Sequence, residues 1–225
     1  MSAKEVMKDT ISRTISFDVE FYKENHADLK GLSNKSLSLH YCTHGYIEGR
    51  LAAKYCTREE LIRSLEGQKI LELGPFCSPL LTGTKVKYFD VLNKSQLKKR
   101  ARELGLSLDR IPEIDYVDPN GNISIIDDKF SNVISSHNLE HHPDLISHLI
   151  EVSKLLVDKG QYNLIVPNSK FCFDVNLPVS KISEIFNAFY EKRKVHSIGS
   201  VIEHRSLIGH NDTKKHWENN AIIFS

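Results

Sequence analysis

The chain has 225 residues, of which 40% are hydrophobic and 26% are charged, and a formal net charge of +1. This composition is ordinary for a globular protein, and the small net charge gives no reason to expect a nucleic-acid or membrane-surface partner. The apolar runs are shorter than the roughly 18 residues of a membrane span, and the start lacks the apolar core of a signal peptide. The four cysteines have no C-x-x-C spacing. Reduced thiols and a cytoplasmic location are therefore expected.

Residues 1–55 predict a small helical module. "FDVEFYKENHADL" and "SLSLHYCTHGYIEGR" repeat aromatic and aliphatic residues at helical spacing, which indicates two short helices separated by "GLSNKS". A segment of this size buries only a small core, so we expect it to pack on something larger. Tyr41, Tyr46 and Trp217 could stack on a sugar, although aromatic residues at such spacing are more often core residues.

Residues 56–225 predict an α/β domain. "TREELIRSLEG" is typical of a capped helix, with Thr57 as N-cap, Glu60 three residues later and Gly67 as the stop. Helices in "SQLKKRARELG" and "PDLISHLIEVSKLLVDKG" then separate buried strands. The predicted strands are "KILELG", "KVKYFDVL", "EIDYVD", "FSNVISSHN" and "QYNLIVPN". Strands separated by helices predict a Rossmann-like, doubly wound parallel sheet. The basic run Lys98–Arg102 is typical of a solvated helix face.

Polar residues stand where the predicted strands end. The first strand ends at Glu72 and Gly74, the second at Asp90 and the third at Asp118. Ligands of such sheets bind beyond the carboxyl ends of the strands. Asp90 is placed to accept ribose hydroxyls and Asp118 to meet an adenine amine, although "DPNG" around Asp118 is equally typical of a turn.

The segments "ILELGPFCSPLL", "YFDVL" and "FSNVISSHNLEHHPD" together resemble the class I S-adenosylmethionine-dependent methyltransferases. The resemblance covers roughly residues 65–170. It is closer to a branch found among bacterial cell-surface polysaccharide proteins, to which "NSKFCFDVNLPVS" and "SVIEHRSLIGH" are similar. The first 55 residues resemble a helical module attached to glycosyltransferases and related glycan-assembly proteins. The resemblance implies S-adenosylmethionine as cofactor, a saccharide or glycan hydroxyl as acceptor, and glycosyltransferases as candidate partners.

The resemblance also implies a set of site residues. Those expected to contact the cofactor are Glu72, Gly74, Pro75, Ser78, Asp90, Asp118, Ser136 and His137. His137 or His141 is the expected base that deprotonates the acceptor, with Asp174 orienting it. Either histidine could instead cap a helix or pack. His204 and His210 are further candidates on the acceptor side.

Several features depart from the family pattern. Pro75 has no N–H, so a cofactor carboxylate needs donors elsewhere, for instance at Ser78 or the helix after it. Ser131 stands where an aspartate is frequent, and "NNAIIFS" ends where a sixth strand might begin. The sheet is therefore expected to lack its last strands, or the chain to be a fragment of a longer one.

Three other interpretations of these residues stand beside methyl transfer. His137 and His141, four residues apart, could share a metal, but His142 and His148 add no matching ligand set, so no metal is predicted. A nicotinamide dehydrogenase is disfavoured because the first turn lacks G-x-G-x-x-G. The main rival is a non-catalytic Rossmann-like binding module in a glycan-assembly protein, with a decayed cofactor site. Pro75 and the missing strands favour this rival, whereas Asp90 and Asp118 oppose it.

Overall fold

The structure, a computed structural model, describes residues 17–54, 57–169 and 172–209. The chain divides into two compact units, residues 1–66 and 67–225. This boundary lies beyond residue 55, where the sequence pattern placed it, because the helix over 58–65 groups with the first unit. Cys56, His210, Trp217 and "NNAIIFS" lie outside the described residues, and so do the predictions made for them. Of the helices in the described ranges, none combines the length and the apolar character that crossing a membrane requires.

The first unit contains the two short helices predicted from its spacing. They are α1 (Val19–Asn25) and α2 (Asn34–His40), followed by a π-helical turn (Tyr41–Gly45) and by α3 (Arg58–Leu65). The predicted capping box of α3 is confirmed, since Thr57 Oγ1 accepts from the Glu60 N–H and Glu60 Oε2 accepts from the Thr57 N–H, both at 3.1 Å.

The core of the first unit is built around one tyrosine. Tyr22 is completely buried, and its hydroxyl is hydrogen bonded to His40 Nδ1 at 3.0 Å. The rings of Phe17 and Tyr41 stand 5.3 and 5.4 Å from its own ring. The phenol lies directly against Gly45, where an added Cβ would come within 1.9 Å of the hydroxyl oxygen. The small unit therefore buries apolar surface through closely packed rings, and a glycine leaves room for them.

The second unit is a five-stranded, all-parallel sheet flanked by helices, which confirms the predicted Rossmann-like α/β class. The strands are β1 (Ile70–Leu73), β2 (Val86–Asp90), β3 (Tyr116–Val117), β4 (Phe130–Ser136) and β5 (Leu156–Ile165). Their order is β3-β2-β1-β4-β5. The chain thus moves outward from β1 to β3 and then returns to the other side of β1. The point where this order reverses, between β1 and β4, is where such sheets bind ligands.

The described part of the second unit has four helices: α4 (Lys94–Glu103), α5 (Leu145–Leu155), α6 (Ile182–Tyr190) and α7 (Ile198–Leu207). Helix α6 packs against α5, and no residue of α7 is buried. Val152 and Leu155 of α5 pack with Leu71, Leu73 and Phe89 in the main core. Separately, α4 buries Leu97 and Ala101 in a second apolar cluster. The basic run of α4 is left on its outer side, as its sequence predicts.

Candidate functional site at the carboxyl edge of the sheet

A cavity of about 100 Å³ opens at the carboxyl edge of the sheet. It is lined by Leu73, Gly74, Phe89, Asp90, Val91, Gly121, Ile123, Asn138, His142 and His148. These residues come from the ends of β1 and β2, the segments after β3 and β4, and helix α5. A cavity of about 150 Å³ holds a benzene ring, so this smaller one encloses only part of a small ligand.

Glu72 holds the loop that follows β1. Its side chain is buried, and its carboxylate accepts hydrogen bonds from the backbone N–H groups of Leu80, at 2.8 and 3.1 Å, and Leu81, at 3.4 Å. It is not among the residues that line the cavity. Glu72 therefore shapes the loop around the site, and its contact with a cofactor stays a prediction.

Gly74 is the residue where β1 turns into this loop. Its φ of +69° is in the left-handed region, and its N–H donates to the Phe89 carbonyl at 2.9 Å. A Cβ at this position would meet Asn138 Nδ2 at 2.9 Å, so a side chain here would strain the backbone and crowd Asn138. Glycine thus brings the first loop and the segment after β4 together at the cavity.

Asp90 is the buried carboxylate of the cavity wall. It ends β2, is 7% exposed, and Oδ1 accepts from the Leu92 N–H at 3.1 Å. Burial raises the pKa of Asp90, and the backbone N–H groups of Leu92, Phe76 and Val91 oppose that rise. A carboxylate offers about four acceptor positions, so with three backbone N–H groups bound Asp90 keeps about one for a ligand hydroxyl. The predicted position of Asp90 at the strand end is confirmed.

Asp118 follows β3 directly, beside Asp90. Its N–H donates to the Asp90 carbonyl at 3.3 Å, while its Oδ1 accepts from the Asn120 and Asn122 N–H groups at 2.9 and 3.0 Å. These two bonds build the turn that "DPNG" indicates. Asp118 does not line the cavity, although Gly121 of the same turn does.

A chain of hydrogen-bonded polar groups adjoins the cavity. His148 on α5 is 7% exposed, and its Nε2 is hydrogen bonded to the Tyr162 hydroxyl at 2.9 Å. The same hydroxyl is bonded to Ser135 Oγ on β4 at 2.9 Å. Burial, followed by the nearby His142, lowers the pKa of His148 to about 3. His148 is therefore neutral at physiological pH.

His142 continues this chain to the cavity wall. Its ring is stacked on that of His148, with centroids 3.6 Å apart and planes 22° apart. Burial lowers the pKa of His142 first, and His141 and His196 lower it further. Its Nε2 lies 3.0 Å from Asn138 Oδ1. With Oδ1 on this side, His142 Nε2 is the donor of the bond, and Asn138 Nδ2 lies on the side facing Gly74.

The histidines predicted as bases lie outside the cavity lining. His137 is exposed, with a φ of +52°, and its N–H donates to the Ile165 carbonyl at 2.9 Å. His141 is exposed in a 3-10 turn (Leu139–His141), and its carbonyl accepts from His196 Nε2 at 3.1 Å. A non-glycine residue held in the left-handed region is typical of functional sites as well as of tight turns. Both histidines and the partly exposed Ser136 lie at the carboxyl edge.

The remaining predicted residues lie away from the cavity lining. Pro75 is buried and Ser78 is exposed in the first loop. Asp174 lies in the loop after β5, and its buried Oδ1 has no hydrogen-bond partner among the described residues. Burial raises the pKa of Cys172, and the charges of Asp174 and Glu140 raise it further. His204 packs edge-on against Phe173, with ring centroids 5.9 Å apart.

Sequence reasoning missed the residues that form the polar wall. The sequence pattern did not single out Asn138. It offered His142 and His148 only as metal ligands beside His137 and His141. In the described part of the chain, histidine, cysteine and acidic side chains nowhere gather as a metal-binding group. A signal for His148 was present, because it lies on the stripe of α5 that also carries the buried Val152 and Leu155.

No protein-family model matches the chain, and no curated protein matches it.

Proposed function

We propose that residues 67–225 form an S-adenosylmethionine-dependent methyltransferase domain, which O-methylates a sugar during surface polysaccharide biosynthesis. The position of the cavity is the main support. It lies at the carboxyl edge beside the reversal between β1 and β4, and a buried carboxylate from the end of β2 lines it. This is where nucleoside cofactors bind in sheets of this order, with an acidic residue for the ribose.

The residues around the cavity fit part of a nucleoside, at its ribose. Asp90 would accept a ribose hydroxyl, because its wall position is buried and it keeps about one acceptor position. Apolar atoms of Leu73, Phe89 and Ile123 complete the lining. Gly74 lets Asn138 approach the turn closely, where a side chain would crowd it. The remainder of the cofactor would extend from this ring along the carboxyl edge, toward the predicted Ser136 and His137.

The cofactor supplies a methyl group that is already activated, so the protein has two tasks. It must orient the acceptor oxygen toward the methyl carbon and remove the hydroxyl proton as the new bond forms. His137 and His141 remain the proposed bases, because both are exposed at the carboxyl edge, where an acceptor can reach them. Asp174, with its buried Oδ1, is the proposed residue that orients the acceptor.

The acceptor class rests on the sequence resemblance alone. "NSKFCFDVNLPVS" and the helical module of the first 55 residues are both similar to segments of glycan-assembly proteins. We therefore propose a saccharide hydroxyl as substrate, glycosyltransferases as partners, and a cytoplasmic location.

Replacing Asp90 with asparagine tests cofactor binding. The change removes a charge-assisted bond to the ribose, so we expect the affinity for S-adenosylhomocysteine, measured by calorimetry, to fall about 10- to 100-fold. The raised pKa of Asp90 means that its charged form costs stability at neutral pH. The melting temperature should therefore fall by less than about 4 °C. Asp127→Asn is the matched control, because Asp127 is exposed and away from the cavity lining. Unchanged affinity in the folded variant would remove Asp90 from the site.

A non-catalytic binding module remains the second candidate, because two observations favour it. The cavity is small for a whole cofactor, and the carboxylate of Asp118 is engaged in its own turn. The same calorimetry distinguishes the two functions. A wild-type chain that binds neither S-adenosylmethionine nor S-adenosylhomocysteine would support the binding module and overturn the methyltransferase.

A further inference from the structure

The loop after β1 has little capacity to bind an anion through its backbone. Pro75 and Pro79 have no N–H. The remaining N–H groups are largely engaged within the protein: Phe76 with Asp90, Ser78 with the Pro75 carbonyl, and Leu80 and Leu81 with Glu72. Loops that cradle anions do so with several free, converging N–H groups. This loop cannot offer such a row, so a ligand carboxylate there needs a donor from another element.

Asn138 is the side chain that stands opposite this loop. It lines the cavity, and its Nδ2 lies 2.9 Å from the point where a Cβ of residue 74 would be. Asn138 therefore brings an amide donor directly to the turn at Gly74, where the backbone is short of donors.

The histidines lie on the oxygen side of the Asn138 amide. Oδ1 is 3.0 Å from His142 Nε2, and His142 is held by its stack on His148, which is in turn bonded to Tyr162. In this arrangement His142 Nε2 is the donor, and the two hydrogens of Nδ2 lie on the side of Gly74 and the cavity.

We propose that Asn138 determines specificity for the amino-acid end of the cofactor, donating from Nδ2 to the carboxylate that the loop after β1 does not bind. His142 and His148 are positioning residues that hold the amide in this orientation. The inference rests on the proposed function, since it concerns the cofactor of that site. It assigns to a side chain after β4 the anion contact that a glycine-rich first loop makes with its backbone.

Two ligands that differ only in the amino-acid end test the inference by calorimetry. S-adenosylhomocysteine carries the carboxylate, whereas 5′-methylthioadenosine keeps the nucleoside and sulfur without it. Asn138→Asp retains the size of the side chain and the acceptor for His142 but replaces the donor with a negative charge. We expect it to weaken S-adenosylhomocysteine at least about tenfold and to change the affinity for methylthioadenosine less than about threefold.

Two further variants complete the test. Asn120→Asp adds the same charge at an exposed position that does not line the cavity, and both affinities should stay at the wild-type level. Asn138→Ala removes the donor without adding charge, so it should weaken S-adenosylhomocysteine selectively but less than Asn138→Asp.

Each outcome separates this inference from the proposed function. Equal losses for the two ligands, or no loss for either, in Asn138→Asp would overturn the role of Asn138 while leaving cofactor binding intact. A wild-type chain that binds methylthioadenosine but not S-adenosylhomocysteine would overturn it as well. If the wild type binds neither ligand, the proposed function itself fails, and that is known before any variant is measured.

Discussion

Each unit of the chain contains a tyrosine whose hydroxyl is hydrogen bonded to a histidine, and Tyr22 is buried whereas Tyr162 is partly buried. In the first unit the pair is Tyr22 and His40, and in the second it is Tyr162 and His148, with bonds of 3.0 and 2.9 Å. Other rings surround Tyr22, whereas His148 borders a cavity. The same two residue types therefore complete a core in one unit and support a candidate site in the other. Residue type and bond length do not distinguish these roles; the surroundings do.

Gly45→Ala should produce the largest effect, because the pair in the first unit is closely packed. A Cβ at residue 45 would lie 1.9 Å from the Tyr22 hydroxyl, and Tyr22 is completely buried among other rings. We expect the first unit to lose about 3 kcal/mol of stability. Hydrogen–deuterium exchange of peptides from residues 17–54, measured in the full chain, reports this loss.

Gly31→Ala is the control for this substitution. It adds the same methyl group where nothing lies within 4 Å of the new atom. Exchange in this variant should match the wild type. If Gly45→Ala exchanges no faster than Gly31→Ala, the packing of Tyr22 against residue 45 is wrong.

The sequence predicted the parts of the fold that depend on local periodicity. The two short helices, the capping box at Thr57 and Glu60, and the parallel class of the sheet all follow from spacing and turn residues. The unit boundary does not, because it depends on how the whole chain packs and not on the pattern of α3 itself. The packing of Gly45 against Tyr22 was not predictable from the sequence either, because residues distant in sequence meet there.

Tyr162→Phe should lower the free energy of unfolding by more than Tyr22→Phe. The Tyr162 hydroxyl joins two groups, His148 Nε2 and Ser135 Oγ, and Ser135 is completely buried. Removing it leaves two buried polar groups unpaired, at a cost of about 2 kcal/mol. Removing the Tyr22 hydroxyl frees only His40 and should cost about 1 kcal/mol. Urea unfolding of both variants measures the difference.

Equal losses in the two tyrosine variants would mean that Ser135 contributes nothing to the second pair. Ser135→Ala in the Tyr162→Phe background then separates the partners. If the serine matters, this second change should restore part of the lost stability, because it removes an unpaired hydroxyl.

The candidate site was predictable only where strand ends decide it. The position of Asp90 follows from the end of β2, and parallel strands bring such ends to one edge. The roles of Asn138, His142 and His148 depend on how α5 and the segment after β4 lie on that edge. Local sequence emphasised the exposed His137 and His141, whereas three-dimensional packing brings the neighbouring Asn138 and His142 into the cavity wall.

The smallest expected effect is a pH dependence of stability that follows from the lowered pKa of His148. Burial holds that pKa near 3, whereas an unfolded histidine titrates near 6.5. Between these values the unfolded chain binds the extra proton, so the free energy of unfolding falls as pH falls. The contribution of neutral His148 is thus fully present above about pH 6.5 and is lost toward pH 3. Urea unfolding at pH 7, 6 and 5 should give His148→Gln a shallower slope than the wild type between pH 6 and 5, by about 1 kcal/mol per pH unit. Glutamine keeps a polar group toward Tyr162 but does not titrate, so the difference in slope isolates the imidazole. Identical slopes would mean that His148 takes up its proton in the folded chain. The assignment of His148 as a buried, neutral side chain of the cavity wall would then be wrong.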